Sequence, residues 1–181
     1  YASDRSGAGN LDIWVKHVAG GEPVRLTSHQ ADDHEPAFSP DGTKIAFRSE
    51  RDGGGIYVIS AIGGNERLIA SQGRYPRFSP DGQQIAFKSR IQGSGLVDGK
   101  IYVVASTGGS PGQLQPEFAY ADRPVWSPDG RHLLFVGSPE RPPLVPTENP
   151  PYDWWVTPLD GGAALPTGAS SLLRKHGLSS K

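Results

Sequence analysis

An eight-residue segment occurs three times in this chain, and any fold must accommodate it as a repeat. The copies are EPAFSPDG at 35–42, YPRFSPDG at 75–82 and RPVWSPDG at 123–130. Each copy precedes a further related run, which reads KIAFRS at 44–49, QIAFKS at 84–89 and HLLFVG at 132–137. Repeats of this kind form similar structural units that bury their apolar surfaces against their neighbours. The chain is therefore predicted to be an array of units.

The residues of each unit favour strands joined by tight turns. In Ser-Pro-Asp-Gly, proline presets φ, aspartate can bond the nearby backbone and glycine tolerates a positive φ, so the motif predicts a turn. Segments such as Ile45-Ala46-Phe47 are β-branched and aromatic, and they alternate in the way that half-buried strands do.

A second aromatic motif recurs between the copies, and its spacing gives the length of the unit. The motif reads DIWV at 12–15, GIYV at 55–58, KIYV at 100–103 and DWWV at 153–156. Each copy leads to a Gly-Gly pair, and these pairs begin at residues 20, 63, 108 and 161, with spacings of 43, 45 and 53 residues. A period of about 40 to 50 residues is typical of a propeller blade.

These patterns predict an all-β fold, a β-propeller fragment of about four four-stranded antiparallel blades with the first blade incomplete. The predicted blades span residues 1–27 (partial), 28–70, 71–115 and 116–167, and 168–181 is a tail or the start of a next blade. Tyr1-Ala2-Ser3 aligns with Phe47-Arg48-Ser49, so the first blade lacks its opening strand. Propellers typically close with about 4 to 8 blades, so we expect an incomplete ring or part of a longer protein.

Composition narrows the classes of function. Gly 24 and Pro 17 in 181 residues suit many tight turns, and no apolar run approaches the length of a membrane span. The 18 Lys+Arg balance 19 Asp+Glu, which disfavours a nucleic-acid partner. Cysteine is absent, so neither a disulfide nor a thiolate metal site can form.

The pattern PxFSPDGxxIAFxS, followed by IYV and Gly-Gly, resembles the signature of TolB-like, WD40-like (PD40) β-propeller repeat proteins. The resemblance covers about residues 1–167. A narrower likeness joins 12–29 and 32–58 to the propellers attached to bacterial, notably acidobacterial, serine/threonine kinases. It implies an attached sensor or docking domain, periplasmic or extracytoplasmic, and the kinase motifs themselves do not occur in this sequence.

The positions before each opening strand are candidates for a binding site at the mouth of the central channel. These positions are polar and differ between the blades, and they are His34, Glu35, Arg74, Tyr75, Asp122 and Arg123. We expect a mixed-charge ring there that binds a protein, a peptide or a small ligand. The competing interpretation is a set of solvated loop residues with paired charges.

Two insertions are candidates for a partner surface. They span residues 91–99 and 138–152, and the second carries six prolines, which make it stiff and extended. Both join the second and third strands of a blade, so we expect them to project from one face, with Arg141, Leu144 and Tyr152 as contact residues.

Other motifs carry no predicted chemistry. Asp32, Asp33, His34 and Glu35 lack metal-ligand spacing, and no cofactor is predicted. The G-x-S-x-G match at 108–112 occupies a Gly-Gly turn, and Pro111 has no N–H for an oxyanion hole.

The predicted function is a non-catalytic scaffold for protein or ligand binding, part of a larger bacterial protein such as a receptor-like kinase. The alternatives are the gating propeller of a prolyl-oligopeptidase-type serine peptidase, a TolB-like periplasmic protein and, least favoured, a polysaccharide lyase with a channel metal. Open blade ends also predict self-association.

Overall fold

The computed structural model describes residues 1–7, 9–89, 99–140 and 151–176. In these residues nearly all regular structure is β-strand. In chain order the strands are β1 (Ala2–Ser3), β2 (Asp12–Val15), β3 (Val24–Arg25), β4 (Asp33–Phe38), β5 (Lys44–Ser49), β6 (Gly55–Ser60), β7 (Arg67–Ala70), β8 (Arg74–Phe78), β9 (Gln84–Ser89), β10 (Lys100–Ala105), β11 (Gly112–Leu114), β12 (Tyr120–Trp126), β13 (His132–Ser138), β14 (Asp153–Pro158) and β15 (Leu165–Pro166). A 3₁₀ turn spans Arg51–Gly53, and the helix α1 (Ala169–Lys175) follows β15.

The strands form successive antiparallel sheets in chain order. One sheet has three strands, β1-β2-β3, and three have four strands each, β4-β5-β6-β7, β8-β9-β10-β11 and β12-β13-β14-β15. Every strand pairs antiparallel with the strand that precedes or follows it, as in β5 with β6. The predicted fragment of a β-propeller with four-stranded blades is confirmed.

The Ser-Pro-Asp-Gly turns owe their shape to bonds within six residues. In the first turn the Ser39 hydroxyl donates to Asp41 Oδ1 at 2.5 Å, and Asp41 accepts from the Thr43 backbone N–H at 3.1 Å. Gly42 has φ of 70°, a left-handed conformation that favours glycine. The same bonds recur in the turns around Asp81 and Asp129. This part of the blade is determined locally, which is why its sequence repeats.

The apolar core lies between the sheets. Phe47 and Ile45 of one sheet pack on Ile13 of the sheet before it, and Phe87 packs beside Ile56 in the same way. A third cluster joins Ile101 to Phe135 of the last sheet and to Phe118, which lies between β11 and β12. A single blade of this kind cannot bury its apolar surface alone, so neighbouring blades stabilise one another.

The recurring aromatic residues fill these clusters. Phe47, Phe87 and Phe135 are 0%, 1% and 1% exposed. Phe47 stacks on Tyr57 and Phe87 on Tyr102, with ring centroids 5.9 and 5.8 Å apart. The prediction that these residues serve packing between blades is confirmed.

The order of strands defines two faces of the molecule. The first strands β4, β8 and β12 lie against one another, so they are nearest the axis and are called the inner strands. Because strands alternate in direction, the Ser-Pro-Asp-Gly and Gly-Gly turns lie on one face, called the turn face. The starts of the inner strands lie on the opposite face, called the mouth face, with the connections between second and third strands.

Candidate functional site

Each inner strand contains a β-bulge near its start. The pairing with the next strand shifts between His34 and Ala37, between Arg74 and Arg77, and between Asp122 and Val125. The residue inside each bulge has a left-handed backbone, with φ of 55° at Glu35, 54° at Tyr75 and 55° at Arg123. Such a conformation is costly for residues other than glycine and is concentrated at functional sites. Three of the six predicted mouth residues occupy it.

The bulge changes which side chains share a face of the sheet. Arg74 pairs with Lys88 and Arg77 pairs with Ala86. Because residues 86 and 88 point to the same side of β9, Arg74 and Arg77 also share one side of the sheet. Strict alternation along β8 would place them on opposite sides.

The contact between the sheets β4–β7 and β8–β11 is called the first seam, and a glutamate crosses it. The Glu35 carboxylate lies 3.1 Å from the Arg74 guanidinium and accepts the Tyr75 backbone N–H at 2.6 Å. Arg48 crosses the same seam and donates to the Gly73 carbonyl at 2.6 Å. Its guanidinium also pairs with Glu50 at 2.6 Å, and this bond lowers the pKa of the Glu50 carboxyl.

The contact between the sheets β8–β11 and β12–β15 is called the second seam, and a lysine crosses it. Lys88, which aligns with Arg48, lies 2.8 Å from the Asp122 carboxylate. Asp122 also accepts from the Tyr120 hydroxyl at 2.9 Å and from the Arg123 backbone N–H at 2.7 Å. Burial and the charge of Asp122 raise the pKa of Tyr120.

The structure thus brings the predicted mouth residues to one face and pairs most of their charges. Glu35 with Arg74 and Asp122 with Lys88 form ion pairs, and His34 lies 3.3 Å from Glu50. Tyr75 and Arg123 are exposed, and the Arg74 guanidinium lies over the Tyr75 ring at 5.4 Å from its centroid.

A cavity of about 220 Å³ brings the mouth residues of the last blade together with the second predicted insertion. Tyr120, Asp122, Arg123, Tyr152 and Trp154 are among the residues that line it. Tyr152 lies 5.2 Å from Tyr120 between ring centroids, and burial raises the pKa of Tyr152.

This cavity lies on one face of the last sheet. In the two preceding blades the equivalent face is covered by the next sheet. Trp154 aligns with Ile56 and Ile101, which are 0% and 1% exposed between two sheets. The insertion residues Arg141 and Leu144 lie outside the described residues, as do 90–98 of the shorter insertion.

Arg77 lies on the same inner strand as Arg74, nearer its turn-face end, and was not among the residues predicted from the sequence. It is exposed and shares a face with Arg74. Its alignment with Ala37 and Val125 offered a signal, because a residue type that differs between otherwise similar repeats marks an unrepeated role.

Two motifs considered for chemistry lie in ordinary turns and strands. Ser110 of the G-x-S-x-G match lies between β10 and β11, beside Gly108 and Gly109 with φ of 89° and 135°, and not at a bend from strand to helix. The described residues contain no group of three or more His, Asp or Glu placed to hold a metal ion. No helix among them is long and apolar enough to span a membrane.

Comparisons with known proteins support a TolB-like propeller. No protein-family model matches the chain. A putative TolB from Agrobacterium tumefaciens superposes with a TM-score of 0.66 at 25% identity, over 87% of this chain and 56% of that one. A puromycin-hydrolyzing peptidase from Mycobacterium tuberculosis superposes with a TM-score of 0.66 at 15% identity, over 87% of this chain and 26% of that one, and it shows the fold alone.

A curated relative is similar over part of the chain. Tricorn protease homolog 1 from Streptomyces coelicolor is 33% identical over 63 residues, which are 34% of this chain and 6% of the relative. The chain therefore spans a small part of that relative and about half of the TolB structure.

Proposed function

We propose that this chain is a non-catalytic binding scaffold, whose mouth face holds a protein or peptide partner or a small ligand. It would serve as the sensor or interaction part of a larger bacterial protein, such as a receptor-like kinase in an extracytoplasmic compartment. One observation carries this proposal: the Ser-Pro-Asp-Gly turns of the turn face recur in three blades, while the bulges on the mouth face carry Glu35, Tyr75 and Arg123. The two insertions also join second and third strands on the mouth face, and insertions on one face of a repeat protein often mark its binding face.

The test compares the two faces with matched variants. The chain would be screened against an array of immobilised peptides, alongside the mouth-face variant Arg123→Gln and the turn-face variant Arg131→Gln. Both arginines are exposed, and both variants remove one positive charge. Binding that Arg123→Gln changes and Arg131→Gln does not supports the proposal. If no peptide binds, or if both variants act equally, the proposal fails.

A gating propeller of a prolyl-oligopeptidase-type peptidase is the second candidate. Its support is the likeness to a tricorn protease homolog and to a peptidase propeller. The two candidates differ in what a mouth-face variant changes in the parent protein. If the chain is a gating propeller, a mouth-face variant should change the rate at which the parent protein cleaves large substrates and leave the cleavage of small substrates unchanged. If the chain is a sensor, the variant should change ligand binding, and the parent protein should have no peptidase activity.

A further inference from the structure

In both seams the start of an inner strand rests on the same part of the preceding sheet. In the first seam Gly73 lies so close to Ile56 that a Cβ added to the glycine would be 2.8 Å from Ile56 Cγ1. The Gly73 carbonyl also accepts a hydrogen bond from Arg48. In the second seam Ala121 shares an apolar cluster with Ile101, which aligns with Ile56. This part of each sheet therefore holds the first residues of the next inner strand.

A backbone carbonyl of the preceding sheet also bonds to the incoming strand. Gly99, directly before β10, accepts the Ala121 backbone N–H at 2.8 Å. At the equivalent place of the first sheet Leu11, directly before β2, accepts the Asp33 backbone N–H at 2.8 Å. Tyr152 has this position in the last sheet, directly before β14. The last sheet therefore presents the same backbone acceptor on its mouth face.

The charges are complementary where a strand start meets the preceding sheet. In the first seam the incoming Arg74 pairs with Glu35, and in the second seam the incoming Asp122 pairs with Lys88. In the last sheet Arg123 has the position of Glu35, and it is exposed at the rim of the cavity. No acid among the described residues forms an ion pair with the Arg123 side chain. A carboxylate on an incoming strand would pair with Arg123, with the signs of the first seam exchanged.

The described residues do not cover this part of the last sheet with an inner strand. β7 leads through a short turn into β8, whereas β15 ends at Pro166 and leads into α1. Ser170 of α1 lies at one edge of the cavity, and Val136 and Trp154 on its wall are only partly buried. The cavity of about 220 Å³ is therefore accessible to a segment of another molecule.

We propose that this cavity binds an extended acidic peptide of a partner protein, docked as the start of an inner strand docks in the two seams. A glutamate of the peptide pairs with Arg123. The residue before that glutamate donates its backbone N–H to the Tyr152 carbonyl and packs on Trp154. This inference rests on the proposed function and names the class of partner. Guanidinium groups bind carboxylates through charge-assisted, often bidentate hydrogen bonds, and an extended peptide adds backbone hydrogen bonds to a sheet.

The experiment measures fluorescence anisotropy of short labelled peptides with the full chain. The probes copy residues 119–127, which include the strand start of the second seam, and carry glutamate, glutamine or arginine in place of Asp122. We expect the glutamate probe to bind. The glutamine and arginine probes should bind at least about fivefold more weakly, because an exposed ion pair contributes up to about 1 kcal/mol.

A charge reversal tests the pairing directly. Arg123→Glu gives the last sheet the charge that Glu35 gives the first seam, and both positions have φ of 55°, so the backbone accommodates glutamate. The arginine probe should then bind more tightly than the glutamate probe, and unfolding of the variant could not cause such a reversal. Arg131→Glu is the matched control, because Arg131 is exposed on the turn face, and it should leave all affinities unchanged.

Trp154→Ala tests where the peptide lies. The variant removes the aromatic wall of the cavity and should weaken the glutamate probe about tenfold, since a large aromatic side chain at the centre of a site contributes much of its affinity. An unchanged affinity would place the peptide elsewhere and overturn the inference.

The remaining outcomes separate this inference from the proposed function. If the peptide array reports binding that Arg123→Gln changes, but no probe binds or Arg123→Glu keeps the preference for glutamate, this inference fails and the scaffold stands. If the chain dimerises in sedimentation, Trp154→Ala abolishes the dimer and no probe competes, the face binds a second copy and the choice of a partner peptide is overturned. If no probe binds and the array is also empty, both proposals fail.

Discussion

The two seams use one backbone for different chemistry. Both have a bulge with a left-handed residue, and in both a cation at the same strand position reaches the next sheet. In the first seam Glu35 closes the contact by bonding to Arg74 and the Tyr75 backbone N–H, whereas in the second seam Asp122 pairs with Lys88 and accepts the Arg123 backbone N–H. The repeat therefore supplies one frame, and the side chains that differ between the blades decide which ion pair closes each seam.

The largest change should come from the apolar core of the first seam. Phe87 is 1% exposed and packs between two sheets. Phe87→Ala should lower the free energy of unfolding by about 3–5 kcal/mol, because it removes a buried ring and leaves a cavity. Chemical denaturation measures this loss.

Phe38→Ala is the control for that variant. Phe38 is 56% exposed, so its loss should change stability by less than about 0.5 kcal/mol. Equal effects of the two variants would contradict a core located between the sheets.

The polar contacts of the two seams should differ in strength. Asp122→Asn should lower the free energy of unfolding by about 2 kcal/mol, because it leaves the Lys88 ammonium, 15% exposed, without a charge partner. Glu35→Gln should cost less than about 1 kcal/mol, because water can solvate Arg74 and the amide oxygen can still accept the Tyr75 N–H.

Urea unfolding of both variants measures this difference. The double variant Lys88→Ala with Asp122→Asn shows how much of the cost belongs to the pair. A larger loss for Glu35→Gln than for Asp122→Asn would reverse the comparison.

The backbone inside the bulge offers a smaller test. Tyr75 has φ of 54°, which a β-branched residue adopts only with strain. Tyr75→Val should lower the free energy of unfolding by about 1–2 kcal/mol, while Tyr75→Asn should lower it by less because asparagine tolerates this conformation. Thermal unfolding of the two variants gives the order, and equal midpoints would show that the bulge relaxes when its side chain changes.

The smallest effect concerns the turn face, where the three Ser-Pro-Asp-Gly turns are alike. The Ser39 hydroxyl bond is the largest cause that lowers the pKa of Asp41, from 3.8 to about 2, and equivalent bonds lower the pKa of Asp81 and Asp129. Since the pKa of each of these carboxyls is lower in the folded state, the stability they contribute is present above pH 3.8 and is lost as pH falls through the lowered pKa, which for Asp41 is about 2.

Replacing all three aspartates by asparagine should flatten the acid limb of the stability curve in that range. Unfolding midpoints measured from pH 5 to 2 check this. If the stability of the triple variant falls with pH as steeply as that of the parent chain, other carboxyl groups cause the loss of stability in acid.

The sequence alone was sufficient for the fold because the turns are local. The Ser39–Asp41–Thr43 bonds join residues two positions apart, so each copy of the motif specifies its own turn wherever it occurs. The alternation of Ile45 and Phe47 with polar residues likewise identified the strands and their packing role. The mouth residues at positions 34, 74 and 122 and their successors were also found by alignment of the repeats.

The tertiary structure decided which of those residues remain accessible. The contacts of Glu35 with Arg74 and of Lys88 with Asp122 join residues 39 and 34 positions apart on different sheets. No pattern within a blade specifies such contacts, because they depend on how two sheets face each other. The bulge also breaks the period of two and places Arg77 on the same side of the sheet as Arg74, so the side chains that share a face follow from the tertiary geometry and not from the spacing of the residues.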